Sequence, residues 1–166
     1  LSTPQQLITV LLVGCGNIGS HLLPLLARNP LIGALILADP DRYELRNVTS
    51  QAIGREAAGR PKAAFLARVA RSIRPGLPVS AMMAAVETIP LGLLRATMII
   101  ACVDSRRARM ATNQIASRLG IPWIDTGVGP DDMLARVNVY VPGPDVPCLE
   151  CMWDGADYAA VEQVHA

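Results

Sequence analysis

The feature that most constrains this chain is a glycine turn set between two periodicities. Ile8-Thr9-Val10-Leu11-Leu12-Val13 is a β-branched and aliphatic run, apolar on both faces apart from Thr9, as a central parallel strand covered by helices would be. Gly14-Cys15-Gly16-Asn17-Ile18-Gly19 follows at once. From Asn17 to about Arg28 the period becomes helical, with Ile18, Leu22, Leu25 and Leu26 at three- and four-residue spacing. Strand, Gly-x-Gly-x-x-Gly, helix is the context in which that spacing carries meaning. The glycines allow a tight turn and close approach of backbone to a phosphate, and the helix N-terminus offers N–H groups and partial positive charge. Asp39 stands twenty residues after Gly19, at the end of the second apolar run, where a carboxylate accepting hydrogen bonds from ribose hydroxyls belongs. Alone, the arrangement points to a nucleotide, NAD before others. The competing reading has the glycines serving only helix–strand packing.

Pro30 ends the first helix, and Pro24 inside it is expected to kink it. Ala34–Ala38 reads as a second buried strand, closing at Asp39-Pro40-Asp41. Arg42–Gly59 carries turn formers and no clean period, a loop with short helical turns. Pro61 opens a helix to about Arg74, stopped by Pro75-Gly76. Val79–Val86 reads as a strand, Leu91–Arg95 as a short helix, and Thr97–Val103 as a third strongly apolar strand. Asp104–Leu119 is helical, opened by the aspartate and closed by Gly120. Pro122–Asp125 and Arg136–Val141 are further strands. The alternation predicts an α/β fold: a doubly wound, Rossmann-like, mostly parallel sheet with helices on both faces. The linker-like stretch Pro142–Pro147 divides a nucleotide-binding domain, 1–141, from a cysteine-bearing segment, 142–166.

Composition narrows the partners. A chain of 166 residues, 51% hydrophobic and 17% charged, buries a core without disulfides or metal. Lys and Arg number 15 against 14 Asp and Glu, which excludes the charge footprint of a nucleic-acid or anionic-membrane binder. A small molecule or a protein is the expected partner. The apolar runs fall far short of the roughly 20 residues that span a bilayer. Four cysteines form no disulfide framework, so a reducing, cytoplasmic setting is expected. The chain opens at Leu1 without a methionine and stops soon after the Cys148–Cys151 pair, and it reads as a piece of a longer protein.

Further motifs follow in order: Asp39-Pro40-Asp41; Asn47-Val48-Thr49-Ser50-Gln51; Gly59-Arg60-Pro61-Lys62-Ala63; Asp104-Ser105-Arg106-Arg107-Ala108-Arg109; and Cys148-Leu149-Glu150-Cys151. With the glycine loop, they make the chain resemble the ThiF/MoeB superfamily, the adenylating domain of ubiquitin-activating-type enzymes, over roughly residues 7–151. The resemblance implies ATP-dependent activation of the C-terminal carboxylate of a ubiquitin-like or sulfur-carrier protein, or of a peptide, as an acyl-adenylate. It assigns Gly14, Gly16, Asn17, Gly19, Asp39, Asp41 and Lys62 to the nucleotide. Asp104, Lys62, Asn47 and Gln51 become the catalytic set: Lys62 a point charge for the phosphates, Asp104 an oxygen ligand for Mg²⁺, and Asn47 and Gln51 hydrogen-bonding groups for phosphate or nucleobase. The bland alternatives are a solvated Lys62, an Asp104 that only caps its helix, and turn-forming Asn47 and Gln51.

Cys148 and Cys151 have zinc-knuckle spacing, but tetrahedral zinc needs four ligands, and His165 is the only other candidate nearby. The resemblance implies Zn²⁺ in the full-length protein, completed by a second pair downstream, and subunits that pair as a homodimer or heterodimer. A mean hydropathy of +0.33 fits an extra buried face. Two departures stand out. Ser50 replaces the family's loop arginine, with Arg42 and Arg46 the nearest substitutes, and Ala101 stands where relatives often carry an aspartate. Ser50 favours an alternative, a non-catalytic nucleotide-binding partner subunit of the same fold. An NAD-dependent oxidoreductase would leave Lys62, Asn47, Gln51 and the cysteine pair unexplained.

Overall fold

A computed structural model describes residues 6–129 and 134–162. Six strands, β1 (Ile8–Val13), β2 (Ile32–Ala38), β3 (Val79–Met82), β4 (Met98–Ala101), β5 (Trp123–Val128) and β6 (Ala135–Tyr140), form one sheet in the order β3-β2-β1-β4-β5-β6. Neighbours are parallel except for β5 and β6, which are antiparallel. The doubly wound, mostly parallel Rossmann-like sheet is therefore as the alternation of elements predicts.

Period-two alternation sends successive side chains of β1 into two separate cores. Val10 and Leu12 pack with α1 (Asn17–Arg28) and α2 (Lys62–Ile73) through Leu23, Phe65 and Leu66. Leu11 and Val13 pack on the other face with α3 (Arg106–Leu119) and Trp123. β1 lacks an exposed face because helices cover both sides of it. The sheet order turns outward on both sides of β1, towards β2 and towards β4, and that divergence leaves a crevice at the strands' C-terminal ends.

Several boundaries shift. The first helix continues through Pro24 to Arg28. α2 begins at Lys62, with Pro61 as its cap. β3 stops at Met82, where its partner β2 runs out at Ala38, and Val86–Thr88 forms a separate 3-10 turn. β5 extends past Asp125 because β6 pairs with it as far as Val128. Ser105, not Asp104, caps α3, its hydroxyl accepting from the Ala108 N–H at 3.2 Å, while Gly120 ends the helix in the left-handed region at φ 64°. A 3-10 turn, Leu149–Met152, and α4 (Gly155–Glu162) lie against α3. No helix among the described residues is long and apolar enough to cross a membrane.

Candidate nucleotide site

The crevice opens into a cleft of about 700 Å³ bounded by the glycine loop, Asp39–Asp41, Gln51, Lys62, the Ala85–Glu87 turn and the start of α3. Two of the three motif glycines answer to packing. Gly14 lies at φ +91°, and a Cβ there would stand 2.4 Å from the Cys102 carbonyl oxygen. A Cβ on Gly19 would stand 2.1 Å from the Gly14 carbonyl oxygen. Gly16 differs, because no neighbouring atom lies within 4 Å of the same point. It lines the cleft and leaves its backbone open to a ligand.

Asp39 ties the loop to β2. Its Oδ2 accepts from the Cys15 N–H at 2.7 Å and its Oδ1 from the Asp41 N–H at 2.8 Å, leaving the second lone pair of each oxygen for a ligand. Burial raises the Asp39 carboxyl above its ordinary range, opposed by those two N–H groups. The buried Tyr43 hydroxyl donates to the Cys15 carbonyl at 2.7 Å, with its ring edge-on to Phe65. Nothing in the local sequence pattern marks Tyr43 as an anchor of this loop. Burial also raises the Cys15 and Cys102 thiols, which keeps both neutral and unreactive.

Lys62 reaches the cleft from the first turn of α2. Burial pulls its pKa down, but the 2.8 Å bond from its ammonium to Asp41 and the charges of Asp39, Asp41 and Asp104 prevail and raise it. It is a held cation whose partner, Asp41, is mostly exposed and replaceable. Gln51 also lines the cleft, and its buried Oε1 has no hydrogen-bond partner among the described residues. Asn47 stands apart. Its Oδ1 accepts from the Glu44 N–H at 2.7 Å within the 3-10 turn Leu45–Thr49, and it is not among the cleft's lining residues. Asp104 is exposed on the cleft's rim, its carboxylate free of capping duty. Neither substitute for the missing loop arginine reaches the site: Arg42 donates to the Gly59 carbonyl and Arg46 pairs with Glu44. The arginines that line the cleft are Arg107 and Arg109, from α3.

The far wall carries groups the motifs do not mark as a unit. Arg109 is hydrogen-bonded to the fully buried Asp125 and also donates to the Val103 carbonyl at 2.7 Å. Burial raises Asp125, and the two arginines near it, Arg109 and Arg136, pull the other way. One helical turn beyond Arg109, the buried Asn113 clasps the cysteine turn. Its amide donates to Glu150 at 2.8 Å and its oxygen accepts from the Leu149 N–H at 3.3 Å. The Cys148 and Cys151 sulfurs lie 3.4 Å apart. Burial would raise the Cys148 thiol, but hydrogen bonds from Cys151 and Asn113 bring it below its ordinary value. Among the described residues no group of three or more His, Cys, Asp or Glu side chains is placed to hold a metal. His165 lies outside the described residues.

An open cleft on a glycine turn, at the switch point of a doubly wound sheet, defines the chain as a Rossmann-like α/β domain of the nucleotide-site type. It belongs to the ThiF family, whose pattern matches residues 6–165. Curated relatives include ubiquitin-like modifier-activating enzyme 5 of Oryza sativa subsp. japonica, 28% identical over 86% of this chain and 37% of the relative. The Bombyx mori enzyme of the same name is 30% identical over 86% of this chain and 39% of its own. Among solved structures, E. coli MccB with ATP superposes with a TM-score of 0.75 at 26% identity, covering 89% of this chain and 45% of MccB. MccB with AMPCPP and selenomethionine MccA gives 0.74 at 26% identity, over 92% and 46%. The chain thus spans less than half the length of these relatives.

Proposed function

We propose that this chain is the nucleotide-binding part of an ATP-dependent adenylyltransferase that activates the C-terminal carboxylate of a ubiquitin-like or sulfur-carrier protein, or of a peptide. A carboxylate oxygen attacks the α-phosphorus of ATP. The bond to the bridging oxygen breaks, and pyrophosphate leaves with the electron pair, giving the acyl-adenylate. The observation that carries this reading is the gathering of Gly16, Asp39, Lys62 and Asp104 around one cleft in a ThiF-family chain.

Each group has work suited to its environment. Lys62, held charged, would exchange Asp41 for the phosphates. Asp39 keeps lone pairs for the ribose hydroxyls. The orphaned Oε1 of Gln51 can only accept, so it suits a ribose hydroxyl or an adenine amine rather than a phosphate. Asp104 fits Mg²⁺ as a single exposed carboxylate, since that ion commonly binds one or two carboxylates plus substrate phosphates and water. When bound, Mg²⁺ would neutralise charge on the phosphates. Cys148 and Cys151 fit one half of a tetrahedral zinc site, and its completion rests on ligands outside the described residues. The exposed strip of Val137, Val139 and Val141 supports a homodimeric or heterodimeric assembly, and four unpaired cysteines support a cytoplasmic setting.

The second reading, a non-catalytic partner subunit, is favoured by Ser50 and by the engagement of Arg42 and Arg46 elsewhere. ATP–pyrophosphate exchange with candidate carrier proteins, beside ATP and NAD titrations, separates the two. The expected result is ATP·Mg²⁺ bound in preference to NAD, with exchange that Asp104→Ala lowers by roughly 100-fold or more at unchanged melting temperature. Tight NAD binding with no response to ATP would refute the proposal. Clear ATP binding with background exchange for every partner selects the second reading.

A further inference from the structure

The nucleotide cleft does not end at α3. Beyond a wall shared by Asp104, Arg109, Gly127 and Val128, a second groove of about 1080 Å³ runs along β5 and β6 towards Trp153. Beneath it lies an uneven charge. Asp125 is one buried carboxylate between two guanidiniums: Oδ1 takes the hydrogen bond from Arg109, while Oδ2 receives none among the described residues and lies 3.7 Å from Nη2 of Arg136. Arg109 is mostly buried and makes a second bond, to Val103. Arg106 is paired with Asp157. Arg136 is the exception, 59% exposed, with that long contact as its one ion pair among the described residues. Among the described residues, the groove therefore presents in Arg136 a guanidinium with donors open to an incoming anion.

Its position gives that charge a use. Arg136 is the cross-strand partner of Gly127, a residue common to both clefts. A Cβ on Gly127 would stand 2.8 Å from the Arg109 guanidinium, so the absence of a side chain keeps the wall low there. Cross-strand partners sit about 5 Å apart, and an extended peptide advances about 3.3 Å per residue. A chain whose C-terminus enters the nucleotide cleft over Gly127 passes Arg136 within its last few residues.

We propose that Arg136 is a specificity residue selecting a substrate tail with an acidic side chain within about three residues of its terminus. The inference rests on the adenylation reading. It is tested on the full chain with ATP and Mg²⁺, using two fluorescein-labelled peptides, Ala-Ala-Ala-Ala-Glu-Gly-Gly and its Gln counterpart, followed by fluorescence anisotropy. The expected preference for the Glu peptide is roughly fivefold, and it shrinks with added salt. It is kept in Arg136→Lys and lost in Arg136→Gln. Equal affinity for the two peptides in the unaltered chain, binding of neither, or a preference that survives Arg136→Gln overturns the proposal. Should Arg136→Gln fail to fold, the salt dependence and Arg136→Lys decide. Absence of discrimination in the unaltered chain with intact ATP–pyrophosphate exchange removes only the role of Arg136, whereas absent ATP binding removes the reading beneath it.

Discussion

On the β1–β2 side of the cleft, Asp39 and Tyr43 are engaged by backbone groups of the glycine loop and its neighbour. On the β5–β6 side, Asp125 is divided between two arginines, and one of its oxygens has no hydrogen-bond partner among the described residues. The first wall is positioned by backbone groups before any ligand binds. Its geometry is fixed by hydrogen bonds to backbone groups, and it suits an invariant guest such as a nucleotide. The second wall is assembled from α3, β5 and β6, which meet only in the folded sheet, and its charges are incompletely matched. A cleft with one settled wall and one unsettled wall can hold a common cofactor on the first and discriminate among partners on the second.

The contrast breaks first at the glycines. Gly14→Ala forces a side chain into the left-handed region and against the Cys102 carbonyl, and it should cost about 4 kcal/mol in denaturant unfolding. Gly16→Ala, with open space around its Cβ, should stay within about 0.5 kcal/mol of the parent yet weaken ATP binding in calorimetry. Equal losses of stability for the two would show that the loop is one packing unit.

On the other wall, Asp125→Ala leaves a mostly buried guanidinium without its carboxylate and should cost about 3 kcal/mol by the same measurement. The pH dependence sharpens the point. Burial raises Asp39 and Asp125 above the ordinary value of 3.8, so in the window from 3.8 up to the raised values the folded chain binds more protons than the unfolded one. The stability these two groups contribute is full below that window and is lost as pH rises through it. Asp125→Asn should flatten its share of the slope in unfolding curves taken across the acid range.

A smaller loss of stability than at Asp125 is expected at Asn113. Removing its two hydrogen bonds with Asn113→Ala should cost about 1–2 kcal/mol. Amide exchange should quicken in the Leu149–Met152 turn while β1 stays protected.

The two walls also differ in how far the sequence discloses them. The stretch from Ile8 to Arg28 reads directly, because strand period, glycine spacing and helix period all lie within one short segment. The sheet's parallel character follows from alternation alone. Less is visible where a partner sets the limit: β3 is cut short by the end of β2, and β5 is lengthened by β6. At Asp104 the pattern cannot choose between two adjacent polar residues, and the cap falls to Ser105. The resemblance assigns Asn47 a ligand role, and no local pattern shows that its Oδ1 also accepts from the Glu44 N–H. The Arg109–Asp125 pair joins a helix to a strand sixteen residues on, through a register no local pattern encodes.

α3 carries Arg109 and Asn113 four residues apart, hence on one face and about 6 Å apart along its axis. One residue grips the carboxylate beneath the cleft and the other grips the cysteine turn at the edge of the fold. The helix works as a short axle between them. The carboxylate beneath the cleft and the turn that carries both sulfurs therefore share one helical support.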